Sequence, residues 1–257
     1  METLVAVARI QSTDASNRIE GISTSDSRLN DLVSEKVTPR NRNEEEIAGY
    51  RDVLSAIHES HDYIPVTPNV ILQLHRDLFR HTPLTFAGHF KDSDNVIIER
   101  DAHGTSTVRF APPSALVTPE LIERACSAYT QAIRDGHTDP LLAIAMFILD
   151  FTCIHPFNDG NGRMSRLLTL LMLCRNGYMV GKYISIEHLI EQSKSTYYEA
   201  LAASTQAGTT TPMIMRLHEL PAWHHTVRVQ GIRRTHQSHG RRQSAGSTAS
   251  SHQGNAD

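Results

Sequence analysis

Apolar residues recur with helical spacing along most of the chain. In "NEEEIAGYRDVLSAIHES", residues 43–60, Ile47, Tyr50, Val53 and Leu54 fall on one face of a helix. The same pattern predicts two helices within 1–37, separated near Gly21, and one helix in each of four later segments: 67–79, 118–133, 139–154 and 162–178. The segment 185–204 is predicted to be helical in two pieces. We therefore predict a mainly helical protein.

One segment departs from the helical period. "NVII" at 95–98 and "TVRF" at 107–110 are short β-prone runs, and the turn-rich sequence "ERDAHGTS" separates them. This pattern predicts a two-stranded hairpin. The fold class that we expect is all-α, with one small β-hairpin.

The predicted helix at 139–154 is apolar nearly all round, which is typical of a central helix in a globular core. The apolar run 140–157 is shorter than a membrane-spanning segment and carries Asp150. The N-terminus resembles no signal peptide, and the three cysteines show no paired or metal-binding spacing. We expect a cytoplasmic protein with reduced thiols and no membrane partner.

Composition bounds the remaining classes of function. The chain has 257 residues and a formal net charge of −3, so bulk charge makes nucleic acid an unlikely partner. Residues 224–257 are rich in Ser, Gly, His, Gln and Arg and contain few large apolar side chains. We predict that they belong to a disordered basic tail, for which a solvated terminus is favoured over a role in binding nucleic acid or acidic proteins.

The segment "IHPFNDGNGRMSRLL", residues 154–168, carries the most chemistry. It connects two predicted core helices, because Pro156 cannot continue the first and a second begins near Gly162. The N-terminus of that second helix directs unpaired N–H groups and a positive dipole into the turn. Gly160 and Gly162 let the backbone curl, which indicates an anion-binding nest.

The charged side chains of this turn fit phosphate chemistry. Arg163 and Arg166 are three residues apart on one helix face, and their planar guanidinium groups suit phosphate oxygens. Asp159 fits a Mg²⁺ ion that takes its other ligands from phosphate and water, and His155 could accept a proton from an attacking hydroxyl. Taken singly, each residue is more typical of an ordinary turn or a solvated helix, but the combination indicates a site.

The twelve residues "HPFNDGNGRMSR" match every fixed position of the signature of Fic-domain (Fido) proteins. The resemblance extends over most of 66–213 and implies the Fic helical fold with a hairpin flap over the active site. It also implies an enzyme that transfers AMP from ATP to a Ser, Thr or Tyr hydroxyl of a protein, with Mg²⁺ as cofactor and release of pyrophosphate. It divides the chain into an N-terminal region (1–65), a catalytic domain (66–213) and a C-terminal segment (214–257).

The resemblance also assigns roles to residues. His155 would be the general base, Phe157 a buried anchor and Asp159 the metal ligand. Nucleotide-binding roles would fall on Asp159, Gly160, Asn161, Gly162, Arg163 and Arg166. The hairpin at 95–111, which includes Val108, would lie over the nucleotide and align the target by adding a strand to it. Tyr197 and Tyr198 match an aromatic pair near the adenine, although packing on a helix face explains them equally well.

A second motif precedes this segment. "SNRIEG", residues 16–21, resembles the inhibitory motif of the same family. The resemblance implies that Glu20 pairs with Arg166, which would deny this arginine to the γ-phosphate of ATP. Ser16 belongs to the same motif. A simpler interpretation of these residues is a turn that Ser16 caps and Gly21 ends.

The sequence is also compatible with other functions. Within the fold, the reaction could be phosphorylation, transfer of another nucleotidyl group or of phosphocholine, or removal of AMP through Glu20, but the intact signature favours AMP transfer. A nucleotide-binding regulator or DNA-associated adaptor is the alternative from another class. Self-modification and a homodimer formed through the N-terminal helices also stay open, and the sequence does not identify a target protein.

Overall fold

The computed structural model describes residues 2–100 and 106–196, and the side chains of 3–96 and 110–196. This part of the chain is mainly helical, which confirms the predicted fold class at that level. Its elements in chain order are α1 (Glu2–Ile19), α2 (Asp26–Val33), α3 (Arg42–Ser60), α4 (Pro68–Leu78), β1 (Ile97–Arg100), β2 (Ser106–Phe110), α5 (Thr118–Asp135), α6 (Pro140–Ile154), α7 (Asn161–Arg175) and α8 (Ile186–Gln192).

Capping residues explain where several helices begin. Thr67 accepts a hydrogen bond from the Val70 N–H, and Pro68 occupies the first turn of α4 as the sequence predicts. Asn41 caps α3 in the same way through the Glu44 N–H. At the start of α2, Ser25 is at the N-cap but its hydroxyl makes no capping hydrogen bond.

The centre of the core lies between α6 and α7, as the apolar pattern of 139–154 predicts. The buried face of α6 includes Phe147 and Phe151, and α7 buries polar residues of its first turns together with its leucines. A larger apolar cluster joins these helices to α3, α4 and α5. The first turn of α7 is therefore held inside the protein rather than exposed on its surface.

The two strands pair antiparallel, with Ile98 opposite Val108, and the register shifts between Ile97 and Ile98. They lie where the sequence predicts a hairpin, and only their backbone is described. The role of this hairpin as a flap stays a prediction.

None of the helices described has the length and apolar character needed to cross a membrane. The helical segment predicted at 185–204 is described as far as residue 196, and α8 covers Ile186–Gln192 of it. Tyr197, Tyr198 and the segment 214–257 lie outside the described residues.

A candidate active site at the N-terminus of α7

The loop between α6 and α7 has an unusual backbone. His155 ends α6 with φ 50°, a left-handed conformation that costs free energy in any residue except glycine. Gly160 takes φ 81° at the other end of the loop, where an added methyl group would also approach the Phe79 ring to within 3 Å. Pro156 follows His155 and prevents α6 from continuing. These residues turn the chain sharply and place His155 beside the first turn of α7.

The side chain of Asn161 closes this loop. Its Oδ1 accepts a hydrogen bond from the Phe157 N–H at 2.9 Å, and its Nδ2 donates to the Phe157 carbonyl at 2.8 Å. Phe157 itself is fully buried, as its predicted anchoring role requires. Because the amide of Asn161 is engaged within the loop, a cradle for phosphate would be formed by backbone N–H groups rather than by this side chain.

His75 of α4 contacts the same loop through Phe157 and Asp159, a role that the sequence analysis did not predict. Its ring stacks on Phe157, with centroids 3.7 Å apart and planes 2° from parallel. Nδ1 accepts from the Gly88 N–H, so Nε2 carries the proton and donates to the Asp159 carbonyl at 3.1 Å. Burial lowers the pKa of His75 to about 4, and the ring is therefore neutral at neutral pH.

Lys91 holds the beginning of the loop. Its ammonium donates to the Ile154 carbonyl and to Asn95 Oδ1, both at 3.1 Å, and its backbone N–H donates to the Pro156 carbonyl at 2.8 Å. Burial lowers the pKa of this lysine. The cation satisfies a carbonyl at the C-terminus of α6, where the helix dipole favours positive charge.

His155 has the properties of a base at neutral pH. Its side chain is half-buried, and burial is the main reason why its pKa lies below the ordinary value of 6.5. The positive charge of Lys91 lowers the pKa further, whereas the nearby Thr152 carbonyl and the carboxylates of Glu20 and Asp159 act against this. The imidazole is therefore unprotonated at pH 7 and can accept a proton.

Asp159 is suited to a metal ion that brings most of its own ligands. Its side chain is 48% exposed, and Oδ1 accepts a hydrogen bond from the Gly160 N–H at 2.6 Å. The residues described contain no group of three or more His, Cys, Asp or Glu side chains that could hold a metal alone. A Mg²⁺ ion coordinated by phosphate and water needs only one carboxylate of this kind, so the donor set fits Mg²⁺ bound together with a nucleotide.

Arg166 is held by Ser16 of α1 and by Glu20, the residue that follows this helix. Its Nε donates to Ser16 Oγ at 2.8 Å, and its Nη2 donates both to the Ser16 carbonyl at 2.9 Å and to Glu20 Oε1 at 2.7 Å. The Glu20 carboxylate also lies directly against Gly162, where an added methyl group would overlap it. The contact implied by the resemblance is thus present, and the carboxylate lies beside the glycine backbone of the predicted nest.

Arg163 has a different partner from Arg166, although both project from α7. Its side chain is 1% exposed, and its Nη1 lies 2.7 Å from Oε2 of Glu46 on α3. Its guanidinium carbon also lies 5.0 Å from the centre of the Phe79 ring. The sequence predicts both arginines over one pocket, whereas the structure pairs them with two separate carboxylates. A role for Arg163 in holding phosphate stays a prediction.

The remaining predicted residues are only partly placed. Val108 lies on β2, where its backbone alone is described. Tyr197 and Tyr198 lie outside the described residues, and their position near an adenine stays a prediction.

Comparison with known proteins agrees with the sequence signature. The sequence profile of the Fic/DOC family matches residues 65–173. A Fic domain-containing signalling protein from Bacteroides thetaiotaomicron superposes with a TM-score of 0.69 over 83% of this chain and 77% of its own, at 24% identity. The chain has the fold of Fic-domain proteins. The profile thus relates residues 65–173, less than half of the chain, to the Fic/DOC family.

Two curated relatives share parts of this Fic-fold chain. A Fido domain-containing protein of Dictyostelium discoideum is 37% identical over 90 residues, which are 34% of this chain and 58% of the relative. Protein adenylyltransferase fic-1 of Caenorhabditis elegans is 28% identical over 127 residues, 48% of this chain and 22% of the relative. The matches thus span less than two thirds of either relative's length.

Some residues of the site lie within the segment that matches the Fic/DOC family, and others lie before it. Residues 65–173 contain the loop, His75, Lys91 and both arginines. Glu20 and Glu46, which pair with those arginines, precede the matched segment. Glu20, directly after α1, and Glu46 of α3 therefore complete a site whose loop belongs to the Fic/DOC segment.

Proposed function

We propose that this chain is a protein adenylyltransferase that transfers AMP from ATP to a hydroxyl side chain of a protein and is inhibited by Glu20. The observation that carries the proposal is the loop 155–166, in which a neutral histidine, a half-exposed aspartate and a glycine-lined helix N-terminus lie together. The Fic/DOC match and the name of the nematode relative support AMP as the transferred group.

The proposed chemistry assigns one task to each feature of the loop. His155 accepts the proton of the target hydroxyl, whose oxygen attacks the α-phosphorus of ATP and forms a new P–O bond. The bond from that phosphorus to the bridging oxygen breaks, and pyrophosphate leaves with the bonding electrons. Backbone N–H groups at the start of α7 stabilise negative charge on the phosphate oxygens.

Asp159 would hold Mg²⁺, which neutralises phosphate charge when it is bound. The hairpin of β1 and β2 would cover the nucleotide and align an extended target segment along one strand edge. Because such pairing uses main-chain hydrogen bonds, many target sequences would be acceptable.

Inhibition would follow from the position of the Glu20 carboxylate. It occupies Arg166 and lies against Gly162, so it would repel the γ-phosphate and leave ATP in an unproductive position. Glu20 is 33% exposed whereas Arg166 is 4% exposed. The carboxylate can therefore move away from the pair more easily than the arginine can.

Labelling with two forms of ATP tests this function. We expect Glu20→Gly to raise transfer of label from α-³²P-ATP to the chain itself or to added proteins by about 10-fold or more. Glu35→Gly is a matched control, since Glu35 is an exposed glutamate outside the loop, with a φ of 57° that glycine accepts readily. Mass spectrometry of the product should show the mass of AMP.

The same assay separates the alternatives. Label from γ-³²P-ATP in the product would indicate phosphorylation, and loss of AMP from a modified protein would indicate the reverse activity. His155→Ala in the Glu20→Gly protein should abolish transfer while ATP binding and the circular dichroism spectrum are retained. Unchanged labelling by the Glu20→Gly protein would contradict the inhibitory role.

A further inference from the structure

One carboxylate of α3 is shared by two arginines. Glu46 is 3% exposed, and its Oε2 lies 2.7 Å from Nη1 of Arg163. Its other oxygen, Oε1, accepts a hydrogen bond from Nε of Arg42 at 2.8 Å. Arg42 in turn brings its Nη2 to 3.7 Å from Oδ2 of Asp159. Charges of alternating sign thus run from the interior of α7 to the proposed metal ligand.

The inner end of this chain of contacts fixes the first turn of α7. Arg163 and Glu46 form a close ion contact without the alignment of a good hydrogen bond, and the Phe79 ring packs near the guanidinium. Removing the carboxylate would leave a buried positive charge without its counter-charge. Because Arg163 follows Gly162 directly, any movement of this arginine also moves the backbone that forms the nest.

The outer end of the chain of contacts is weakly held. The side chains of Arg42 and Asp159 are 60% and 48% exposed, and a pair of this separation and exposure contributes little stability. A divalent cation could therefore displace Arg42 from Asp159. The hydrogen bond from Arg42 to buried Glu46 limits how closely Arg42 can approach the aspartate.

We propose that Glu46 is a positioning residue for this site: it anchors Arg163 under the first turn of α7 and restrains Arg42, so that Asp159 stays available to a divalent cation. The inference rests on the proposed function, since it concerns Mg·ATP at the same loop. Glu46 itself touches neither the reacting atoms nor Asp159, and it acts only through the two arginines.

The chain offers a matched control for this proposal. Glu44 is also a 3% exposed carboxylate of α3, and it accepts hydrogen bonds from Arg28 at 2.6 and 3.0 Å. Its other donors are Thr24 and the Arg40 N–H, none of which belongs to the loop. Glu44→Gln and Glu46→Gln therefore remove equivalent buried charges from one helix, and only the second change disturbs the site.

The experiment compares variants in the Glu20→Gly protein. Calorimetry should show Mg·ATP binding weakened by about 10-fold in Glu46→Gln, with a higher Mg²⁺ concentration for half-maximal labelling. Glu44→Gln should lose comparable thermal stability without either change. Arg42→Ala should shift the Mg²⁺ requirement in the opposite direction, because it removes the cation that competes for Asp159.

Hydrogen exchange provides a readout that needs no ligand or activity. Glu46→Gln should raise amide exchange in residues 157–163, whereas Glu44→Gln should raise it around residues 24–40 instead. Equal effects of the two substitutions on the loop and on Mg·ATP affinity would overturn the proposal. Failure of the Glu20→Gly protein to transfer any label would instead overturn the proposed function, and the exchange measurement would still decide the role of Glu46.

Discussion

His155 combines a left-handed backbone conformation with a pKa that burial lowers. Because its pKa lies below 6.5, protonation of the imidazole occurs only at lower pH than for a free histidine. If His155 is the base, transfer falls when it becomes protonated. We expect kcat/KM of the Glu20→Gly protein to decline on the acidic side with a midpoint below 6.5, measured as initial labelling rates from pH 5 to 8. A midpoint above 6.5 would argue against this assignment.

His58 offers a prediction about stability. It is 4% exposed and makes no hydrogen bond through either ring nitrogen to the residues described, and burial, with the positive charges of Lys182 and Arg9, lowers its pKa to about 4. The folded state therefore binds its proton more weakly than the unfolded state, so stability is full above pH 6.5 and is lost as pH falls toward 4. The loss amounts to about 1.4 kcal/mol per pH unit for one such group.

Replacing His58 by leucine isolates this contribution. Urea unfolding at pH 7.5 should change little, because no hydrogen bond is removed, whereas the dependence of the unfolding free energy on pH between 6.5 and 4 should become shallower by about one proton. The wild-type chain is the reference, since buried His75 retains its own contribution in both proteins. An identical pH dependence in the two proteins would show that His58 is already protonated or solvated when folded.

The site residues could be predicted from the sequence where they lie together in one short segment. The turn 155–166 reveals its glycines, carboxylate and arginines by spacing alone. Its supporting residues could not be predicted, because His75 and Lys91 reach the loop from distant segments. Glu46 left one overlooked signal: it falls in register with Tyr50, Val53 and Ile57 on the apolar stripe of α3, where a carboxylate is buried only with a partner.

At the scale of elements, Gly49 allows α3 to approach the end of α4. A methyl group there would overlap the carbonyl of Leu78, a backbone group that cannot move aside alone. Alanine gains about 1 kcal/mol over glycine in helix propensity, but overpacking of a close contact costs about 1–3 kcal/mol. We expect Gly49→Ala to lower the melting temperature. Glu59→Ala, at an exposed position of the same helix, should leave it nearly unchanged, and a rise in melting temperature for Gly49→Ala would contradict the tight contact.

The helices themselves were predictable, because an apolar stripe of period 3.6 and capping residues such as Thr67 and Asp139 are local signals. The partners of the two arginines were not equally predictable. Arg163 and Arg166 share a helix face by sequence spacing, but α1 and α3 approach α7 through long-range packing. Only the tertiary arrangement therefore shows that Arg163 pairs with Glu46 and that Arg166 pairs with Glu20.

On the scale of the whole molecule, α1 is both a candidate inhibitor and part of the core. Apart from Ile19, its buried side chains are small or short, which lets it pack closely against α3 and α8: Ala8, Ser12, Thr13, Ala15, Ser16 and Asn17. Lys194, just beyond α8, donates to the Ile19 carbonyl at the C-terminus of α1, and Arg18 pairs with Glu191 of α8. Undocking the entire helix would expose this interface, whereas moving only Glu20 would break one partly exposed pair.

These two routes to activation predict different costs. Glu20→Gly should raise labelling while the melting temperature stays within about 4 °C of the wild-type value, the change expected for roughly 1 kcal/mol. Removing residues 1–21 should lower the melting temperature by considerably more, because α3 and α8 lose a buried neighbour. Differential scanning calorimetry and labelling per folded molecule measure both quantities. A truncated chain that is as stable as the wild type and fully active would show that α1 is a detachable inhibitor rather than a structural helix that carries an inhibitory carboxylate.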